Sequence, residues 1–236
     1  MNKFSNVEVL EHTVEGSPSL YDIDSCPSFI RCDADFVRNN CGPYATNILE
    51  QVISWNEIPI ENLRFSATSQ RLGPNAFSST PGWHHDWYSR TGWESDTDDH
   101  SDRPFILVFW IGNTAPTQFY IGEWPDNWDD RWKHESNEQF WMRRHRALNQ
   151  HLADGNGSIL TTQSNTVYKM NHTSIHRATP SDKLGFRILF RVEYSTIPAV
   201  NRVLNSVTSY LPIDTYHSDF ELVTPMDRPE ERLPEV

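Results

Sequence analysis

The sequence predicts a mainly β protein with a few helices on its flanks. Three observations point there. Strand-length runs that are apolar or strictly alternating recur along the chain, above all at residues 105–111 and 185–194. Short segments of β-branched composition follow one another at 158–162, 166–170 and 173–177. A clear amphipathic helical period runs through only two longer stretches, 43–55 and 138–152. A chain of 236 residues suits one large domain, with its core expected over about residues 60–196.

The elements follow in order. Residues 1–35 read as strand and loop, broken at Pro18 and Pro27. Pro43 fits the first turn of a helix, where its missing N–H costs nothing, and Tyr44, Ile48 and Val52 then share a face. Residues 63–72 are strand-like, Gly73-Pro74-Asn75 is a turn, and 78–82 a short loop. Residues 90–103 are polar and acidic with no period, and read as a mobile loop. The run 105–111 is apolar at every position, which suits a strand covered on both faces. A short strand or turn is expected at 117–122. Residues 126–154 form a charged insertion, helical over 138–152, with Phe140, Ala147, Leu148 and His151 on its packing face and Gly155-Asn156-Gly157 ending it. In 185–194, Phe186, Ile188, Phe190 and Val192 share one face, and Arg187, Leu189 and Arg191 the other. Residues 202–210 read as helical, and the acidic tail from about 212 as disordered.

Composition narrows the function classes. The formal net charge is −12, which disfavours a nucleic-acid backbone as partner. No apolar run approaches membrane-spanning length, and the first eight residues lack the basic-then-apolar pattern of a signal peptide. Cys26, Cys32 and Cys41 are odd in number and form no C-x-x-C pair, as expected for reduced thiols in a cytoplasmic protein. Aromatic residues make up 12% of the chain and include nine Trp, enough to line a pocket for a small organic molecule.

The densest chemistry lies in Pro81-Gly82-Trp83-His84-His85-Asp86-Trp87. In an extended segment His84 and Asp86 point to one side and His85 to the other. An imidazole and a carboxylate converging there are two thirds of a facial triad, the set that holds iron(II) and leaves coordination positions open. A second histidine must come from elsewhere. His176, in Ser174-Ile175-His176-Arg177-Ala178-Thr179-Pro180, is the candidate, with His172 an alternative four residues earlier. Arg187 follows His176 after ten residues and Arg191 after fourteen. Arginines on one face of an apolar strand need partners, and the planar guanidinium fork matches a carboxylate.

This order and spacing resembles the iron(II)/2-oxoglutarate-dependent dioxygenases, in particular the phytanoyl-CoA hydroxylase-like branch, over roughly residues 80–195. The resemblance implies a double-stranded β-helix, the cupin-like jelly roll. It implies His84, Asp86 and His176 as iron ligands, and Arg187 beside a hydroxyl donor as partner of the 2-oxoglutarate C5 carboxylate, with Arg191 in reserve. Thr117, ahead of Gly122, resembles a cosubstrate-binding threonine of the family. The implied reaction uses dioxygen to oxidise a C–H bond of a small molecule, most simply by hydroxylation, and turns 2-oxoglutarate into succinate and carbon dioxide. Two other readings use the same residues: a cupin-like metalloenzyme without 2-oxoglutarate, and a non-catalytic β-sandwich binding module. Residues 126–154 and 90–103 would form a partial lid. The substrate is either neutral or amine-bearing, as the acidic balance favours, or a carboxylate held by Arg71, Arg90 or Arg191.

Overall fold

A computed structural model describes residues 4–16, 18–55, 58–79, 82–85, 106–126, 128, 137–171, 173–196 and 198–204. Its organising strand is β10 (Gly185–Tyr194), which pairs antiparallel with β4 (Leu63–Leu72) along its full length, from Gly185 opposite Leu72 to Tyr194 opposite Leu63. On its other edge lies β5 (Ile106–Gly112), with Gly112 opposite Arg187 and Ile106 opposite Glu193. The sheet is widened by β8 (Thr166–Met170) and β2 (Val7–Thr13) beyond β5, and by β3 (Ser28–Cys32) and β11 (Arg202–Leu204) beyond β4.

A second sheet is built on β6 (Thr117–Glu123). One edge of it pairs with β7 (Ser158–Thr161), the other with β9 (His176–Ala178) and β1 (Phe4–Ser5). An isolated bridge between His84 and His176 carries the sheet one segment further. From β4 to β10 the chain therefore passes back and forth between two facing sheets, β4-β10-β5-β8 and His84-β9-β6-β7. This is the double-stranded β-helix, or jelly roll.

Burial explains why the strands read as they do. Phe65, Phe109, Ile111, Ile188, Phe190 and Val192 face outward onto α2 (Ala34–Asn40) and α3 (Gly42–Trp55), meeting Val37, Ile48, Leu49 and Val52. Ile106, Val108, Tyr168 and Met170 face inward and meet Phe119 of the second sheet. Strand β5 is apolar at every inner and outer position because it is covered from both sides. Outside the second sheet, α4 (Asn137–Ala153) closes a third core of Trp83, Tyr120, Trp124, Trp128 and Leu148. The described part of the insertion thus braces the outer face of the second sheet.

Local chemistry accounts for the departures from expectation. A short helix, α1 (Leu20–Ser25), opens in the segment expected as strand and loop, started by a Ser19–Asp22 capping box. Helix α2 starts where Asp33 caps the Phe36 N–H at 2.8 Å. Residues 202–204 are a strand, not a helix, because their backbone pairs with Ser28–Ile30 at the sheet edge. Thr173 and Ser174 are held in a turn by Asn171, whose Oδ1 accepts from the Thr173 N–H at 2.9 Å, so β9 starts only at His176. The expected loop at 90–103 and the tail from 212 lie outside the described residues. Cys26, Cys32 and Cys41 are free and buried in the outer core. No helix among the described residues is long and apolar enough to cross a membrane.

The β5–β10 pairing depends on Gly112, which has φ +156°. A Cβ there would run into the Phe186 carbonyl oxygen and come within 3.0 Å of the Arg187 Cα. Backbone cannot yield as a flexible side chain can. Gly112→Ala is expected to destabilise the protein by about 1–3 kcal/mol, read from the urea unfolding midpoint.

Candidate functional site

His84 and His176 are distant in sequence and joined by backbone. The His84 N–H donates to the His176 carbonyl at 3.0 Å, and the His176 N–H donates back at 2.7 Å. Their rings stand side by side, centroids 4.4 Å apart. Each ring is oriented the same way. Nδ1 of His84 lies 2.8 Å from the Gly82 carbonyl, and Nδ1 of His176 lies 3.1 Å from the Ser174 carbonyl. A carbonyl only accepts, so each Nδ1 carries a proton, which in the neutral ring leaves the lone pair on Nε2. That is the state in which two neutral imidazoles can share a metal. Asp86 and His172 lie outside the described residues. Among the described residues no three His, Cys, Asp or Glu groups converge on one point.

Residues beside the two histidines point the other way, into the α4 layer. His85 stacks on Trp124 with centroids 5.1 Å apart. Ile175 joins the third core. The Arg177 guanidinium lies 4.2 Å over the fully buried Trp83 ring, and its Nε donates to Gln118 Oε1 at 2.9 Å. Helix α4 anchors Trp83: its backbone N–H donates to His145 Nδ1 at 3.3 Å and its indole N–H to Asn149 Oδ1 at 3.0 Å. Burial lowers the Arg177 pKa to about 10. Burial, then the positive charges of Arg177 and Arg146, lower His145 to about 4, so its ring is neutral at pH 7.

Arg187 points inward from β10 and is 1% exposed. Its guanidinium donates to Ser78 Oγ and, at 2.6 Å, to Thr117 Oγ1. Its Nε is buried without a hydrogen-bond partner, and no carboxylate among the described residues pairs with it. Burial lowers its pKa to about 10, which still leaves it cationic at neutral pH. Two hydroxyls are thin compensation for a desolvated cation, which in proteins is normally paired with an anion. Thr117 lies opposite Ala178, and Phe119 opposite His176, so Thr117 is one diagonal step from His176 on the inner face. Such neighbours stand about 7–8 Å apart.

The remaining arginines are placed differently. Arg191 NH2 lies 3.6 Å from Glu193 Oε1, and Arg31 Nε lies 3.8 Å from Glu193 Oε2. Arg71 is exposed, on the outer face of β4. Arg90 is outside the described residues. Sequence reasoning did not single out Ser78, His145 or Arg31. Ser78 could have been found from its place in the short loop before the histidine motif. Arg31 had no local signal.

No family model matches the chain, and no curated protein matches it significantly. Among solved structures, EvdO2 from Micromonospora carbonacea var. aurantiaca is 14% identical over 76% of this chain and 71% of that one, with a TM-score of 0.41. EvdO2 complexed with 2-oxoglutarate is 13% identical over 84% and 80%, with a TM-score of 0.38. A non-heme monooxygenase, the ThoJ-Ni complex, is 12% identical over 78% and 62%, with a TM-score of 0.29. Overlaps this loose say nothing about the residues of the site.

His145 makes stability depend on pH. Its folded pKa, about 4, is below the 6.5 of a free imidazole. Between those values the unfolded chain holds a proton that the folded chain does not. The contribution is therefore complete above pH 6.5 and is lost as pH falls toward 4, amounting to at most about 3 kcal/mol. His145→Gln should flatten this part of the profile, measured as the urea midpoint from pH 7 to 4.5 against the parent protein.

Proposed function

We propose that this protein is an iron(II)- and 2-oxoglutarate-dependent oxygenase of the phytanoyl-CoA hydroxylase-like branch, hydroxylating a small organic molecule in the cytoplasm. The observation that carries the reading is Arg187, a fully buried guanidinium with two hydroxyl partners and no acidic one among the described residues. A ligand carboxylate would complete its hydrogen bonds and neutralise it.

The donor set fits a metal. His84 and His176 offer adjacent rings with matched tautomers. Asp86, two residues beyond His84, is the third ligand in this reading. Iron(II) bound there with 2-oxoglutarate would supply the activation of dioxygen needed to oxidise an unreactive C–H bond.

The protein's own work is placement. Arg187 binds the C5 carboxylate through its fork, and Ser78 and Thr117 hold that fork in plane. The cross-strand step from Thr117 to His176 is about the reach of a five-carbon dicarboxylate. Trp110, whose ring lies 6.0 Å from the Arg187 guanidinium, and Phe119, 5.7 Å from the His176 ring, keep water from the charged groups.

The test is the metal-to-ligand absorption band formed anaerobically with iron(II) and 2-oxoglutarate, together with succinate release in air. Substituting His84, Asp86 or His176 by Ala should abolish both while leaving circular dichroism unchanged. Arg187→Lys should weaken 2-oxoglutarate, and Arg187→Ala should do so by about 2–5 kcal/mol. Thr117→Val should cost about 1 kcal/mol of the same affinity. If Arg187→Ala and Arg191→Ala both leave 2-oxoglutarate affinity intact while the histidines remain essential, the cosubstrate assignment fails and a cupin-like metalloenzyme without 2-oxoglutarate replaces it.

A further inference from the structure

The two hydroxyls on Arg187 are held in place by different means. Ser78 follows a segment fixed by backbone. Phe77 bridges to Pro180, the Asn75 N–H donates to the Ser181 carbonyl at 2.7 Å, and the Ser181 N–H donates to the Ala76 carbonyl at 2.8 Å. Thr117 stands just beyond the end of the β6–β7 ladder, whose last pair is Gln118 opposite Thr161. There a side chain takes over from the backbone. The Thr117 N–H donates to Thr162 Oγ1 at 3.0 Å, and the Thr162 hydroxyl donates to the Thr117 carbonyl at 2.9 Å.

The same oxygen accepts the Trp110 indole N–H at 2.9 Å. One donation and two acceptances use the full capacity of a hydroxyl. Thr117, Thr162 and Trp110 are all buried, where a donor that loses its acceptor is costly. The rest of the turn between β7 and β8 reaches the same place. Ser164 Oγ accepts from the Gly112 N–H at 3.2 Å, and the Asn165 N–H donates to the Trp110 carbonyl at 2.8 Å. Gly112 is the residue of β5 opposite Arg187. One turn thus grips β5 beside Arg187 and β6 at the threonine that Arg187 bonds.

We propose that Thr162 is a positioning residue for the cosubstrate carboxylate, its hydroxyl setting the placement of Thr117 and Trp110 about the Arg187 guanidinium. The Thr117 hydroxyl accepts from Arg187 at 2.6 Å and keeps one proton to donate to a bound carboxylate oxygen. The aim of that proton follows the Thr117 backbone, which Thr162 clamps at both its N–H and its carbonyl. On the other side, the Trp110 ring lies 6.0 Å from the guanidinium, and its indole N–H is tied to the same clamp. Removing one oxygen atom from Thr162 therefore loosens two walls of the Arg187 site while leaving its cation in place. The inference rests on Arg187 being the 2-oxoglutarate site.

The full chain, loaded with redox-inert zinc(II), is titrated with 2-oxoglutarate and with 2-oxobutyrate, and affinities are read by ligand-observed NMR. 2-Oxobutyrate offers the metal the same 2-oxo acid but has no distal carboxylate. Thr162→Val should weaken 2-oxoglutarate about fivefold and leave 2-oxobutyrate as it was. Thr162→Ser, which keeps the hydroxyl, should bind both as the parent does. Thr162→Val added to Thr117→Val should weaken 2-oxoglutarate little beyond Thr117→Val alone. A merely structural threonine would lower the melting temperature of Thr162→Val and affect both ligands alike or neither. If Thr162→Val fails to fold, the parent protein decides by linkage: exchange of the Trp110 indole N–H, identified by its loss in Trp110→Phe, should slow with 2-oxoglutarate and not with 2-oxobutyrate. Equal losses for the two ligands, unchanged 2-oxoglutarate affinity, or indole exchange that 2-oxoglutarate leaves unaltered overturns the proposal. A parent protein that binds 2-oxoglutarate no better than 2-oxobutyrate removes instead the cosubstrate reading on which it rests.

Discussion

Strand β10 is hydrogen-bonded on both edges, to β4 along its full length and to β5 over most of it, and the rest of the molecule depends on that double pairing. A strand held on both sides cannot slip by one residue without inverting every side chain. Ile188, Phe190 and Val192 would then face the interior, and Arg187, Arg191 and Glu193 would be driven into the helix-covered core. The hydrophobic effect on one face thereby fixes where the cations lie on the other. Packing of α2 and α3 against β10 secures the charges inside the jelly roll.

The second sheet solves a different problem. It must bring two histidines from remote parts of the chain to adjoining positions. It does so with a two-bond backbone bridge between His84 and His176, too short to persist alone. What holds the bridge is on its reverse side. Trp83, His85, Ile175 and Arg177 all belong to the aromatic layer under α4. The described part of the helical insertion thus supports the ring positions from behind.

Much of this architecture could be read from the chain because alternation and apolar runs report burial directly. The bounds of β4, β8 and β10 coincide with their expected segments, and α4 differs by one residue at each end. Elements set by single hydrogen bonds were harder. The Ser19 capping box, the Asp33 cap and the Asn171 turn each redirect the backbone through one side chain, which leaves little trace in a hydrophobic period. The 202–204 strand has no strong pattern of its own and exists because β3 offers an open edge.

What could be read from residue order alone was the main run of sheet strands from β4 to β10, the two-faced character of β10, and His84, His176 and Arg187 at suggestive spacing. Those are local properties, carried by residue type and separation along the chain. The folded chain adds that the two imidazoles share a bridge, that Ser78 and Thr117 are the hydroxyls on Arg187, and that Arg31 and Arg191 meet the same Glu193. These are contacts between segments tens of residues apart, set by sheet order and register, which no local pattern encodes. A guanidinium on an alternating strand reads the same whether it faces water or is sealed from it. Burial makes Arg187 chemically demanding, and burial belongs to the fold.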